Sequence, residues 1–108
     1  SSSYHVVFIS NEIRCVPMFH QRARDNPDEA CFWDYHVVLL RSSSNHGTST
    51  ENNGSTTEIL DMDSNLDYPS PLNKYLDASF AVDFTIEQNE KYAPLFRVIQ
   101  ATEFLESF

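Results

Sequence analysis

The run Cys31 to Leu40, C-F-W-D-Y-H-V-V-L-L, constrains the chain more than any other stretch. Side chains alternate between the two faces of a strand, so Phe32, Asp34, His36, Val38 and Leu40 fall on one face. Cys31, Trp33, Tyr35, Val37 and Leu39 fall on the other. Both sets are mostly apolar, the pattern of a strand inside a sheet covered on both sides. Asp34 and His36 are then polar groups that must find partners or line a cleft. A core histidine satisfied by a backbone carbonyl fits this pattern, and so does a histidine held ready for chemistry.

The remaining residues bound what can surround that strand. A chain of 108 residues allows one small domain, and 41% apolar with 13% aromatic residues suffices for a packed core. Seven basic against sixteen acidic residues give a formal charge of −9, which would repel nucleic acid and anionic membranes. No apolar run has the length of a membrane span. Two cysteines without metal-type spacing suggest reduced thiols, and the expected setting is intracellular: cytoplasmic and also nuclear.

In chain order, Tyr4 to Ser10 predicts a buried strand, Asn11-Glu12 a tight turn, and Ile13 to Phe19 a second strand closing a hairpin. Pro17 assigns that second strand to an edge. The polar segment His20 to Ala30, with Asn26-Pro27-Asp28, breaks regular structure. The Ser-, Thr- and Asn-rich segment 41–57 predicts a flexible loop. Glu58 to Asp63 predicts another strand, and Ser70 the cap of a helix with Pro71 in its first turn and Leu72, Tyr75 and Leu76 as its buried stripe. Phe96 to Ala101 predicts a last strand and Thr102 to Phe108 a short helix. The order β-β-β-β-α-β-α is that of an α+β domain.

If the strand at Glu58 folds back on the central one, pairing Leu40 with Thr57 sets His36 opposite Asp61, within reach of a carboxylate–imidazole bond. A slip by one residue would put Met62 there instead. The alternating Asp61, Asp63, Asn65 and Asp67 resemble a calcium loop, but Leu66 and Leu72 stand where such a loop needs glycine and glutamate. His5, His20, His36 and His46 offer no i, i+4 metal pair. No metal and no cofactor is expected.

The string Trp33-Asp34-Tyr35-His36-Val37 resembles the signature of the WDYHV family, the protein N-terminal glutamine amidohydrolases. Val7-Phe8-Ile9-Ser10-Asn11-Glu12, Val16-Pro17, Gln21-Arg22-Ala23-Arg24, Leu60-Asp61-Met62-Asp63-Ser64 and Phe96-Arg97-Val98-Ile99 follow in that family's order. The resemblance implies a papain- or transglutaminase-like α-β-α sandwich, of which residues 1–108 would be the middle part. It also implies thiol-dependent conversion of an N-terminal glutamine to glutamate and ammonia, in a monomer acting on proteins or peptides and on neither nucleic acid nor membrane. By motif, His36 would be the acid/base and Asp61 its orienting carboxylate. Asp34 would receive the substrate α-amine or, preferably, buttress the motif. The family's nucleophilic cysteine would precede Ser1. Cys15 and Cys31 both fall in predicted strands, Cys31 on the face opposite His36, and read as small core residues. The expected activity of these residues alone is nil. The alternative is a short non-catalytic product serving as a binding or vestigial module.

Overall fold

In the computed structural model, which describes residues 2–44 and 55–106, the chain is α+β. Five strands form one antiparallel sheet in the order β6-β5-β4-β1-β7, comprising β1 (Ser2–Ser10), β4 (His36–Ser44), β5 (Ser55–Leu60), β6 (Ser70–Pro71) and β7 (Leu95–Gln100). A second sheet pairs β2 (Val16–Met18) with β3 (Cys31–Trp33). Two helices, α1 (Leu72–Ser79) and α2 (Ala101–Glu106), and a 3₁₀ segment, Glu87–Tyr92, complete the described elements.

The run Cys31 to Leu40 is not one strand. It breaks at Asp34-Tyr35, leaving Cys31–Trp33 in the small sheet and His36 onward in the middle of the large one. Local polar bonds make the break: the Asp34 carboxylate accepts the Tyr35 N–H at 2.9 Å, and the Ser10 hydroxyl donates to the Asp34 carbonyl at 2.8 Å. A side chain that bonds neighbouring backbone offers the chain an alternative to the ladder. The expected face-sharing of Asp34 with His36 is therefore lost, and Trp33 comes to lie against His36 instead of behind it.

Nor does β1 form a hairpin with β2. It pairs antiparallel with β4 on one side and β7 on the other, Val7 facing both Val38 and Val98. After Ser10 the chain is turned away by Asn11, which is buried. Its Oδ1 accepts the Cys15 N–H at 2.8 Å, and its Nδ2 donates to the Cys15 carbonyl at 2.6 Å. Pro17 sits opposite Phe32 in the two-stranded sheet, where every strand is an edge, as its missing N–H requires. The ends of the expected 41–57 loop are strand: β4 and β5 pair from Leu39 and Leu60 out to Ser44 and Ser55, with Arg41 and Glu58 directly opposed and ion-paired at 2.5 Å. Residues 45–54 of that loop lie outside the described residues.

On one face of the sheet Val7, Ile9, Val38 and Ile59 are buried together with Tyr75 from α1 and with Val16 and Met18. Leu40, Leu72, Leu76 and Phe80 pack around them. Burying each large side chain is worth about 1.5 to 3 kcal/mol, so this cluster carries the fold. The stripe Leu72, Tyr75 and Leu76 comes from helical spacing, as the sequence predicts, and Phe80, the C-cap, packs beside it. Ser70 is not the cap: it lies in β6 opposite Ile59, its hydroxyl donates to the Asp67 carbonyl at 2.6 Å, and Pro71 is the N-cap residue. The opposite face departs from the expectation of full cover. Phe104 of α2 packs on Phe8, whereas Val37 is 40% exposed. No helix among the described residues is long and apolar enough to cross a membrane.

Candidate active site

His36 opens β4, opposite Ile9 of β1. The ladder between β4 and β5 pairs Leu40 with Ile59, two residues from the expected Leu40–Thr57 register, and its last pair is Leu39 with Leu60. An even slip keeps every side chain on its face. Asp61 therefore remains on His36's face as a diagonal neighbour, and the turn that begins there closes the gap. Asp61 Oδ1 accepts the Asp63 N–H at 2.9 Å, and its carbonyl accepts the Ser64 N–H at 3.2 Å. These bonds aim the other carboxylate oxygen, Oδ2, at the imidazole.

The resulting contact is His36 Nε2 to Asp61 Oδ2 at 2.9 Å, with both side chains no more than 4% exposed. A second donor reaches the same oxygen: the Tyr75 hydroxyl, brought in by α1, at 2.5 Å. Burial works to raise the Asp61 pKa, but hydrogen bonds from His36 and Tyr75, the imidazole's charge and the Asp63 N–H outweigh it and hold the carboxyl below the ordinary aspartate range. Burial, then the neighbouring Asp61 charge, push the Tyr75 phenol far above its ordinary value, so it stays a donor. An ionised carboxylate only accepts, which assigns the shared proton to Nε2 and leaves Nδ1 as the ring nitrogen that Asp61 does not hold.

Trp33 covers the imidazole in a stacked arrangement, ring centroids 4.7 Å apart and planes inclined by 25°. Its Nε1–H donates at 3.2 Å to Oε1 of Gln21, a fully buried residue whose Nε2 donates to the Phe19 carbonyl at 3.3 Å. Gln21 also forms a backbone bridge with Ser64. On either side the Arg22 N–H donates to the Asp63 carbonyl at 2.8 Å, and the Asn65 N–H to the His20 carbonyl at 2.7 Å. The segment before β3 is thus laced to the turn that carries Asp61.

Of the residues singled out from sequence, His36 and Asp61 come together. Asp34 is exposed, with its carboxylate turned onto the Tyr35 N–H. Cys15 is half-buried in the loop before β2 rather than within a strand, while Cys31 is buried in β3 opposite Met18. Among the described residues no hydrogen bond joins either sulfur to His36. Tyr75, Trp33 and Gln21 were not anticipated as parts of the site. The available signal was chemical, since a tyrosine in a helix's core stripe must find a buried acceptor. Histidine spacing likewise gave no hint that His36, Asp61 and Asp63 would bring donor atoms within 4.8 Å of one another, close enough for a cation. Both oxygens of Asp61 are, however, already engaged by protein donors.

A histidine whose ring nitrogen is fixed by a buried carboxylate is an arrangement able to move protons for a neighbouring nucleophile. The chain belongs to the N-terminal glutamine amidase family, whose model matches residues 1–108. It is 38% identical over 104 residues to a protein N-terminal glutamine amidohydrolase from Bos taurus, covering 96% of this chain and 44% of the relative. With the protein of that name from Arabidopsis thaliana it shares 34% identity over 107 residues, 99% of this chain and 44% of the relative. The Homo sapiens protein of that name is 36% identical over 104 residues, 96% and 45% respectively. The chain thus spans somewhat under half the length of these relatives.

Proposed function

We propose that this chain contributes the acid–base half of an N-terminal glutamine amidohydrolase, completed by a cysteine nucleophile from a segment outside residues 1–108. The observation that carries the proposal is the buried His36–Asp61 bond in a chain of this family. The nucleophile is assigned elsewhere because Cys31 is buried in β3 and Cys15 is held in a loop by Asn11.

In this reading His36 Nδ1 takes the proton of the cysteine thiol, and the thiolate attacks the side-chain carbonyl carbon of the terminal glutamine. The tetrahedral intermediate collapses as Nδ1 returns the proton to the departing nitrogen. The C–N bond breaks, ammonia leaves and a thioester remains. Water, deprotonated by the same nitrogen, attacks the thioester carbonyl; the C–S bond breaks, the thiol is regenerated and the product is an N-terminal glutamate. Asp61 holds Nε2–H throughout and stabilises the imidazolium. Asp34 acts as a buttress through the Ser10 and Tyr35 bonds, and its exposed carboxylate is the secondary candidate for the substrate ammonium.

The antiparallel sheet with a helix on its core face fits a papain- or transglutaminase-like sandwich. The substrates are proteins and peptides with N-terminal glutamine, the setting is cytoplasmic and also nuclear, and the product feeds N-terminal degradation. The test is ammonia release from a peptide beginning with glutamine, by the 108-residue chain and by the chain in the length its transcript encodes. Activity in the longer form alone supports the proposal. Silence from both overturns it in favour of a non-catalytic module.

A further inference from the structure

We propose that Tyr75 is a positioning residue for the acid–base pair, fixing Asp61 Oδ2 against His36; the proposal rests on the amidohydrolase reading above. The observation behind it is convergence: the Tyr75 hydroxyl and His36 Nε2 meet one oxygen of one carboxylate, at 2.5 and 2.9 Å. The Tyr75 ring is 1% exposed and fills the core between Ile9, Val38 and Ile59, a place that phenylalanine would fill equally well. A phenol buried there must have an acceptor, or it costs the fold the desolvation of its hydroxyl. The acceptor it has is the carboxylate that orients His36.

Three donors from three places hold that carboxylate. The Asp63 N–H holds Oδ1 from its own turn, His36 Nε2–H reaches Oδ2 from β4, and Tyr75 O–H reaches Oδ2 from α1. Without Tyr75 the carboxylate is tied, among the described residues, only to its own turn and to the imidazole it must orient. With Tyr75 it is also tied to α1, so helix packing is transmitted to the plane of the imidazole. The ionised carboxylate accepts from both donors at Oδ2, which keeps the proton on Nε2 and leaves Nδ1 unbound by Asp61. Partners that orient a catalytic group in this indirect way act through preorganisation and do not touch the substrate.

The experiment compares Tyr75→Phe, Asp61→Asn and the double variant, each in the chain at its transcript-encoded length. Each variant's fold is checked by circular dichroism, and kcat and KM are measured on a glutamine-terminated peptide. Tyr75→Phe is expected to lower kcat roughly 10- to 100-fold with KM unchanged, and to add no further loss once Asp61 is asparagine. A kcat within twofold of the parent, or the same added loss in both backgrounds, overturns the inference while leaving the amidohydrolase reading intact. A readout independent of turnover is the His36 Nε2–H proton resonance. It is expected to be sharp and slow to exchange in the parent and broadened in Tyr75→Phe, and an unchanged resonance overturns the proposal even if no peptide is deamidated.

Discussion

Asp61→Asn tests the electrostatics of the site through stability alone. The carboxylate is 3% exposed and accepts three hydrogen bonds, two at Oδ2 and one at Oδ1. Asparagine has one acceptor oxygen and one NH₂ group, so one of the two positions must present donors to donors. If NH₂ takes the Oδ2 position it faces both His36 and Tyr75; if it takes the Oδ1 position it faces the Asp63 N–H. Hydrogen bonds to charged groups are worth roughly 1.5 to 3 kcal/mol each. Relief from burying a charge offsets part of the loss, and a net cost of about 2 to 4 kcal/mol at pH 7 is expected. For a domain of this size that lowers the thermal midpoint by roughly 10 to 25 °C. The sign with pH follows from linkage. The Asp61 pKa is lowered in the folded state, so its contribution is complete above the ordinary aspartate value of about 3.9 and is lost as pH falls through the folded value. Thermal unfolding of parent and variant, followed by circular dichroism from pH 7 downward, gives a difference curve in which carboxylates common to both cancel. The gap should hold to about pH 4 and close below it. A variant as stable as the parent at pH 7, or a gap that stays flat into strong acid, would refute the account of this carboxylate.

Three further outcomes follow from the same structure. Cys15→Ser and Cys31→Ala, made in the transcript-length chain, should each leave ammonia release within a few-fold of the parent; loss of activity with the fold intact would make one of them the nucleophile. Ile9→Ala empties the position opposite His36, where Ile9 is 1% exposed, and should cost about 2 to 5 kcal/mol in urea unfolding. Trp33→Phe keeps a ring over the imidazole but strands the buried Gln21 Oε1; it should destabilise by about 1 to 3 kcal/mol, an expectation that an unchanged unfolding midpoint would reject.

Periodicity showed most of the elements because it reports burial, and burial of one sheet face under α1 organises this chain. Val7, Ile9, Val38, Ile59, Leu72, Tyr75 and Leu76 were all visible at strand or helix spacing. What periodicity does not carry is which strand pairs with which, or where side-chain hydrogen bonds interrupt a ladder. The break at Asp34 and the turn at Asn11 are of that kind, each made by a carboxylate or amide bonding nearby backbone. The His36–Asp61 contact was anticipated from a register that turned out to be off by two residues. It survived because an even slip preserves the face and because the Asp61 turn reaches across the diagonal. The places of Tyr75, Trp33 and Gln21 beside His36 and Asp61 were not legible because they depend on particular hydrogen bonds and on one ring stack, which spacing does not record.

Ammonia release by His36→Ala in the transcript-length chain, with folding verified by circular dichroism, tests whether His36 and Asp61 are the proposed acid–base pair. The folded variant is expected to bind a glutamine-terminated peptide and to release no ammonia above background, beside an active parent. A folded His36→Ala variant that turns over at the parent rate would contradict that assignment.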